Sequence, residues 1–157
     1  MIRIESVVVP VDFSESSEKA VRYGVEIARE RKAKLVILHV INQRILDSIH
    51  ELSVKGYKGD FVEAVKNMIH NRHEDLHAFV PESLRSGLDM EFVIRKGRPA
   101  TEIVKFTREN NTDLVIVGVK GRSALEVVFL GSVARDVVNH APCPVLVVRP
   151  VEHDFIE

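Results

Sequence analysis

Apolar residues gather along this chain in short, mostly β-branched runs, separated by stretches in which they recur every three or four positions. The runs are Val7-Val8-Val9-Pro10-Val11, Leu35 to Ile41, Met90 to Ile94, Leu114-Val115-Ile116-Val117 and Pro144 to Val148. Continuous apolar runs of this length predict strands buried on both faces. Between the runs the period is helical. Ser14 is placed to cap the first helix, with Glu15 and Glu18 at its positive end. Ala20, Val21, Gly24, Ile27 and Ala28 form the buried face of that helix. Residues 42–59 carry polar breaks, Gly56 and Gly59, and are expected to be a loop with some helix in it. A long helix is expected from Asp60, with Phe61, Val65, Met68, Ile69, Leu76, Phe79 and Val80 as one stripe. Pro81 ends or kinks it, and Gly87 suits a C-cap a turn or two later. Gly97-Arg98-Pro99 opens the next helix with proline in its first position, burying Ala100, Ile103, Val104 and Phe106. The last helix runs from Val133 to His140.

Strands alternating with helices in this way predict an α/β fold, a doubly wound parallel sheet with helices on both faces. The chain has 157 residues, with no internal repeat, low-complexity stretch or linker, so one domain over 1–157 is expected. Composition changes the picture only by exclusion. Twenty-two basic residues stand against 23 acidic ones, a net charge of -1, which gives no support to nucleic-acid binding by bulk charge. The single cysteine, Cys143, rules out a disulfide within the chain and fits a reducing compartment. No signal peptide or membrane-spanning run is evident, and a cytoplasmic protein is expected.

In such a sheet, ligands bind beyond the carboxyl ends of the strands, where strand order reverses. The loops after Val11, Val40 and Val117 are therefore the candidates, and the last is the richest. Gly118-Val119-Lys120-Gly121 follows a strand directly, and nine residues after Gly121 come Gly131-Ser132, at the head of a helix. Glycines let backbone N–H groups approach phosphate oxygens, and a helix N-terminus adds free donors and a favourable dipole. Ser132 is placed to cap that helix or to donate its hydroxyl to a phosphate, and Lys120 and Arg122 supply positive charge.

The arrangement Gly118-x-x-Gly121, nine residues, Gly131-Ser132 resembles the nucleotide loop of the ATP-binding branch of the universal stress proteins. Pro10-Val11-Asp12 resembles that family's first strand end, where the Asp meets the adenine or ribose. His39-Val40 resembles the second, where the Val packs on adenine. Gly97-x-Pro99 and the segment from Gly131-Ser132-Val133-Ala134 through Ala141-Pro142-Cys143-Pro144 to Val148 resemble further family signatures. The resemblance implies a five-stranded sheet of order 3-2-1-4-5, an adenine nucleotide alpha hydrolase-like fold, and a homodimer. It also implies bound ATP, with ADP or AMP as alternatives and Mg²⁺ or Mn²⁺ carried on the phosphates. The binding residues it implies are Pro10, Val11, Asp12, Val40, Val117, Gly118, Lys120, Gly121, Arg122, Gly131, Ser132 and Val133. The dimer has a physical argument of its own, since an apolar edge strand over 144–149 needs covering, and antiparallel pairing with a second copy covers it.

Each of these residues has a plainer role open to it. Asp12 serves equally as a turn or capping residue, Val40 and Val133 as core, and Lys120 and Arg122 as solvated loop charges. His73-Glu74-Asp75-Leu76-His77 matches H-E-x-x-H, with His70 nearby, but lacks a convincing third ligand and reads as a solvated helix flank. No P-loop, dinucleotide fingerprint or nucleophile elbow occurs. Three functions stay open: a nucleotide-dependent regulatory module for stress response, a slow ATPase, and a dimeric interaction module that uses no nucleotide. The first leads, because no residue stands out to orient a hydrolytic water.

Overall fold

Three consecutive valines, Val7, Val8 and Val9, have no exposed surface at the centre of β1 (Ser6–Pro10). In this computed structural model, which describes residues 1–57, 59–119 and 130–149, both faces of that strand are covered. Val7 and Val9 face one layer of helices and Val8 faces the other, as the period of two requires.

The chain leaves β1 into α1 (Glu15–Arg31), capped by Ser14, whose hydroxyl accepts from the Ser17 N–H at 3.3 Å. Helix α1 lies close on the sheet at Gly24, where a Cβ would stand 2.6 Å from Val9 Cγ2 and 3.2 Å from Leu35 Cδ1. Next come β2 (Lys34–Asn42), α2 (Gln43–Val54), α3 (Asp60–His70), α4 (Arg72–Phe79) and α5 (Glu82–Arg85). β3 (Met90–Gly97), α6 (Pro99–Glu109), β4 (Leu114–Gly118), α7 (Ser132–His140) and β5 (Val145–Val148) complete the described fold. The five strands are all parallel and ordered β3-β2-β1-β4-β5, as expected. One core layer joins Val7, Val9, Leu35, Ile37 and Ile116 to α1 and to Leu76 and Val80. The other joins Val8, Val36, Leu38, Val115 and Val117 to α6 and α7 through Ile103, Phe106, Ala134 and Val137. Burying each such Val, Leu, Ile or Phe is worth about 1.5–3 kcal/mol.

Two expectations are corrected. Residues 43–54 are helix: Asn42 caps α2 by accepting from the Arg44 N–H at 3.1 Å, and a turn at Gly56, with φ 81°, follows its end. The long helix from Asp60 is two helices meeting at Asn71. The Asn71 N–H closes α3 on the Asn67 carbonyl and the Asn71 carbonyl opens α4 by accepting from the Asp75 N–H, both at 2.9 Å. In the first turn of α3 the inward residue is Val62, while Phe61 is 71% and Met68 39% exposed. Leu76 and Val80 are fully buried as expected. Pro81 does end the helix, and Gly87 follows α5 with φ 73°.

Candidate functional site

Strand order reverses between β1 and β4, and their carboxyl ends diverge around a cleft of about 190 Å³. Pro10, Val11 and Asp12 line it from β1, Val40 from β2, Val117 and Gly118 from β4, and Val133 from α7. Seven of the twelve expected residues therefore meet at one place. Gly131 and Ser132 stand at the head of α7, and Ser132 lines an adjoining cleft. Lys120, Gly121 and Arg122 lie outside the described residues.

The turn after β1 is built by Asp12. Its Oδ1 accepts from the Ser14 N–H at 3.1 Å, from the Ser17 hydroxyl at 2.6 Å and from the Ser14 hydroxyl. Its own N–H donates to Ser17 Oγ at 3.0 Å. The plainer role of Asp12, as a turn residue, is thus real. Phe13 between these groups has φ 64°, a left-handed conformation that costs about 1–2 kcal/mol in a non-glycine residue. Its ring offsets that cost by packing 4.7 Å from the His39 ring and edge-on to Phe79 at 5.5 Å, with the Arg72 guanidinium over its face at 4.8 Å.

His39 sits in the cleft wall, nearly buried. Its Nδ1 lies 2.8 Å from the Val11 carbonyl oxygen, which only accepts, so Nδ1 carries the proton. Burial holds the imidazole pKa below its usual value, and Arg72 lowers it further, against the Val11 carbonyl, Asp12 and Asp75, which raise it. The folded protein thus binds this proton less readily than the unfolded chain does. Stability from this group is complete above the ordinary histidine value near 6.5 and falls as pH drops from there toward the lowered folded pKa. His39→Asn is therefore expected to flatten the dependence of Tm on pH between 7 and 5, measured by thermal melts. A slope identical to the parent's would show that His39 does not set it.

The two glycines of the site are different. A Cβ on Gly118 would lie 2.1 Å from the Ser16 carbonyl oxygen and 3.0 Å from Ser17 N. Close packing of β4 on the first turn of α1 therefore demands glycine there, with or without a ligand. At Gly131, φ is -58° and a Cβ would meet nothing within 4 Å. Neither the backbone nor its neighbours among the described residues require glycine. The N-cap is Gly131, not Ser132, which is the first helical residue. The first N–H groups of α7 have no partners within the helix, so they suit an anion.

Sequence reasoning missed Ser17, His39, Pro99, Ile103 and Ala134 in the cleft. Each belongs to a helix that opens beside a strand end or, for His39, stands next to Val40, and that adjacency was the available signal. The histidine motif builds no site. His73 and His77 are 4.7 Å apart ring to ring, and His77 stacks on Phe92 at 4.1 Å, its pKa lowered by burial, His73 and Arg85. Among the described residues no group of three or more His, Cys, Asp or Glu side chains is arranged to hold a metal. Burial raises the Cys143 thiol pKa, with Asp113 adding to it, which disfavours a reactive thiolate. No helix of the described residues is long and apolar enough to cross a membrane.

The profile of the Universal stress protein family matches residues 3–149. A putative universal stress protein of Staphylococcus aureus (strain USA300) is 35% identical over 154 residues, covering 97% of this chain and 88% of its own. Universal stress protein YxiE of Bacillus subtilis is 30% identical over 142 residues, covering 90% and 96%. Among solved structures, universal stress protein UspA from Lactobacillus plantarum superposes with a TM-score of 0.63 at 25% identity, covering 94% of this chain and 99% of its own. Two others share the fold at 23% identity. One is a universal stress protein in complex with cAMP (TM-score 0.61, covering 95% and 99%), and the other is the Archaeoglobus fulgidus protein in complex with dAMP (0.55, covering 94% and 98%).

Proposed function

This chain belongs to the universal stress protein family, and from that premise we propose that it is an ATP-binding member, a nucleotide-dependent regulatory module of the stress response. The observation that carries the reading is the cleft between β1 and β4. Its walls at Val11, Val40 and Val117 are apolar and suit the flat faces of a base, while Asp12, at its rim, suits ribose hydroxyls. The head of α7 at Gly131 and Ser132 takes the phosphates, and the loop motif adds Gly121, Lys120 and Arg122 to their binding, with Mg²⁺ or Mn²⁺ carried on the phosphate oxygens. Two proteins of the same fold hold cAMP and dAMP; at 23% identity they contribute the fold, and the weight rests on the cleft.

Regulation is favoured over turnover because hydrolysis needs a group that orients water at the terminal phosphate. Among the described residues, the titratable side chains that line the cleft, Asp12 and His39, are each engaged in building the turn after β1. A bound nucleotide would tie that turn to the end of β4 and the head of α7, and ligand present at about a hundred times Kd stabilises the folded state by about 2.7 kcal/mol. We further propose a homodimer through strand 144–149. β5 is an edge of the sheet, and its Val145, Leu146 and Val147 are only half-buried.

Denaturing the freshly purified protein and identifying what it releases by mass spectrometry tests the reading. Stoichiometric adenine nucleotide is the expected result. A protein that releases none and whose Tm is unmoved by millimolar ATP would leave the interaction module as the function.

A further inference from the structure

A second cleft, of about 170 Å³, opens beside the first, and the two share Pro99 and Val133. Both border the first turn of α7 at Val133, but their walls differ in kind. The first is mainly apolar; the second is lined by Arg44, Arg98, Asn42, Ser132 and Asp136. The two arginines come from different crossovers. Arg44 is the second residue of α2, and Arg98 is the N-cap of α6. Two guanidinium groups face one carboxylate there, so the cleft is positive on balance.

Neither arginine is held in a buried or short ion pair among the described residues. Arg98 lies 3.8 Å from Asp136 with its side chain 77% exposed, and exposed pairs of this kind are worth at most about 1 kcal/mol. Among the described residues the Arg44 guanidinium has no hydrogen-bond or ion-pair partner. The fixed contacts of Arg44 are those of its backbone, with Asn42 and Ser48. A guanidinium presents its donors in a rigid fork that fits phosphate oxygens two at a time.

We propose that Arg44 and Arg98 grip the terminal phosphates of the nucleotide and make the site selective for triphosphates over monophosphates. The inference rests on the nucleotide reading of the neighbouring cleft. With the base among Val11, Val40 and Val117, a ligand that passes Val133 and the head of α7 enters the second cleft, and only a long phosphate chain reaches it. A monophosphate ends short of the two arginines and gains nothing from them.

The test is calorimetric titration of the parent and of the Arg44→Gln, Arg98→Gln and doubly substituted proteins with ATP and with AMP at low salt. Loss of a charge-assisted contact is worth about tenfold in affinity for each arginine. The parent is expected to prefer ATP over AMP by about a hundredfold, tenfold for each arginine. The double variant should bind both nucleotides about equally, with AMP affinity and melting temperature at the parent's values. An ATP-to-AMP ratio that survives the double substitution, or a parent that never prefers ATP, overturns the proposal and leaves the nucleotide reading in place. A parent that binds neither nucleotide overturns both.

Discussion

Gly118→Ala is expected to lower the stability of this protein by about 3 kcal/mol, a fall of roughly 6–12 °C in Tm. The added Cβ would stand 2.1 Å from the Ser16 carbonyl oxygen and 2.4 Å from its carbon. These are backbone atoms in the first turn of α1, and no rotamer change moves them aside. Either the end of β4 or α1 must shift, and both are held in the core through Ile116, Val117, Ser17 and Ala20. The cost therefore falls at the upper end of the overpacking range. Thermal melts of parent and variant measure it, and a loss under 1 kcal/mol would mean that the strand end gives way more easily than this packing implies. Whatever Gly118 does for a ligand, it is first a packing residue.

Gly131→Val is expected to do the reverse. No described residue stands within 4 Å of a Cβ there, so the expected cost to the fold is the N-cap preference, about 1 kcal/mol. A branched side chain at the head of α7 screens the N–H groups assigned to the phosphates. Losing one or two hydrogen bonds to a charged ligand weakens ATP binding roughly 10–100-fold. Titration of the variant beside the parent reads this directly. Parent-like affinity would remove the head of α7 from the site. The two glycines thus separate the requirements of the fold from those of the ligand, and they do so by different readouts.

Much of this was legible in the order of residues. β1, β2 and β4 announce themselves as apolar runs because both faces of a central parallel strand are covered, and the sheet order follows the family resemblance. Ser14 and Pro99 mark helix starts through local chemistry that needs no tertiary context. The extent of α2 was underestimated, as only some helix was expected over 42–59, although Ile45, Leu46, Ile49 and Leu52 keep a helical period. The glycines at 56 and 59 belong to the turn that follows it, and their weight was spread backward over the helix. Phe61 misled because a large apolar side chain at a helix start reads as core, whereas Val62 is the residue turned inward.

The cleft was legible in Val11, Asp12, Val40, Val117 and Gly118, since the ends of β1, β2 and β4 converge where strand order reverses. What sequence could not convey was the division of labour within it. The clash that fixes Gly118 is with a residue about a hundred positions away in the chain. The Val11 carbonyl that sets the His39 tautomer lies 28 residues from it. The pairing of Arg44 with Arg98 across a second cleft depends on where two separate crossovers begin. Each is a tertiary fact with no periodic trace.

The central claim is that an adenine nucleotide sits at the carboxyl ends of β1, β2 and β4 and at the head of α7. Following the backbone amides of the isotope-labelled protein by NMR during titration with ATP tests it most directly. The account predicts saturable shifts concentrated at Val11, Asp12, Val40, Gly118, Ser132 and Val133, with the amides of α3 and α4 unmoved. A spectrum that ignores ATP, or shifts that gather on α3 and α4 and spare those six residues, would contradict it.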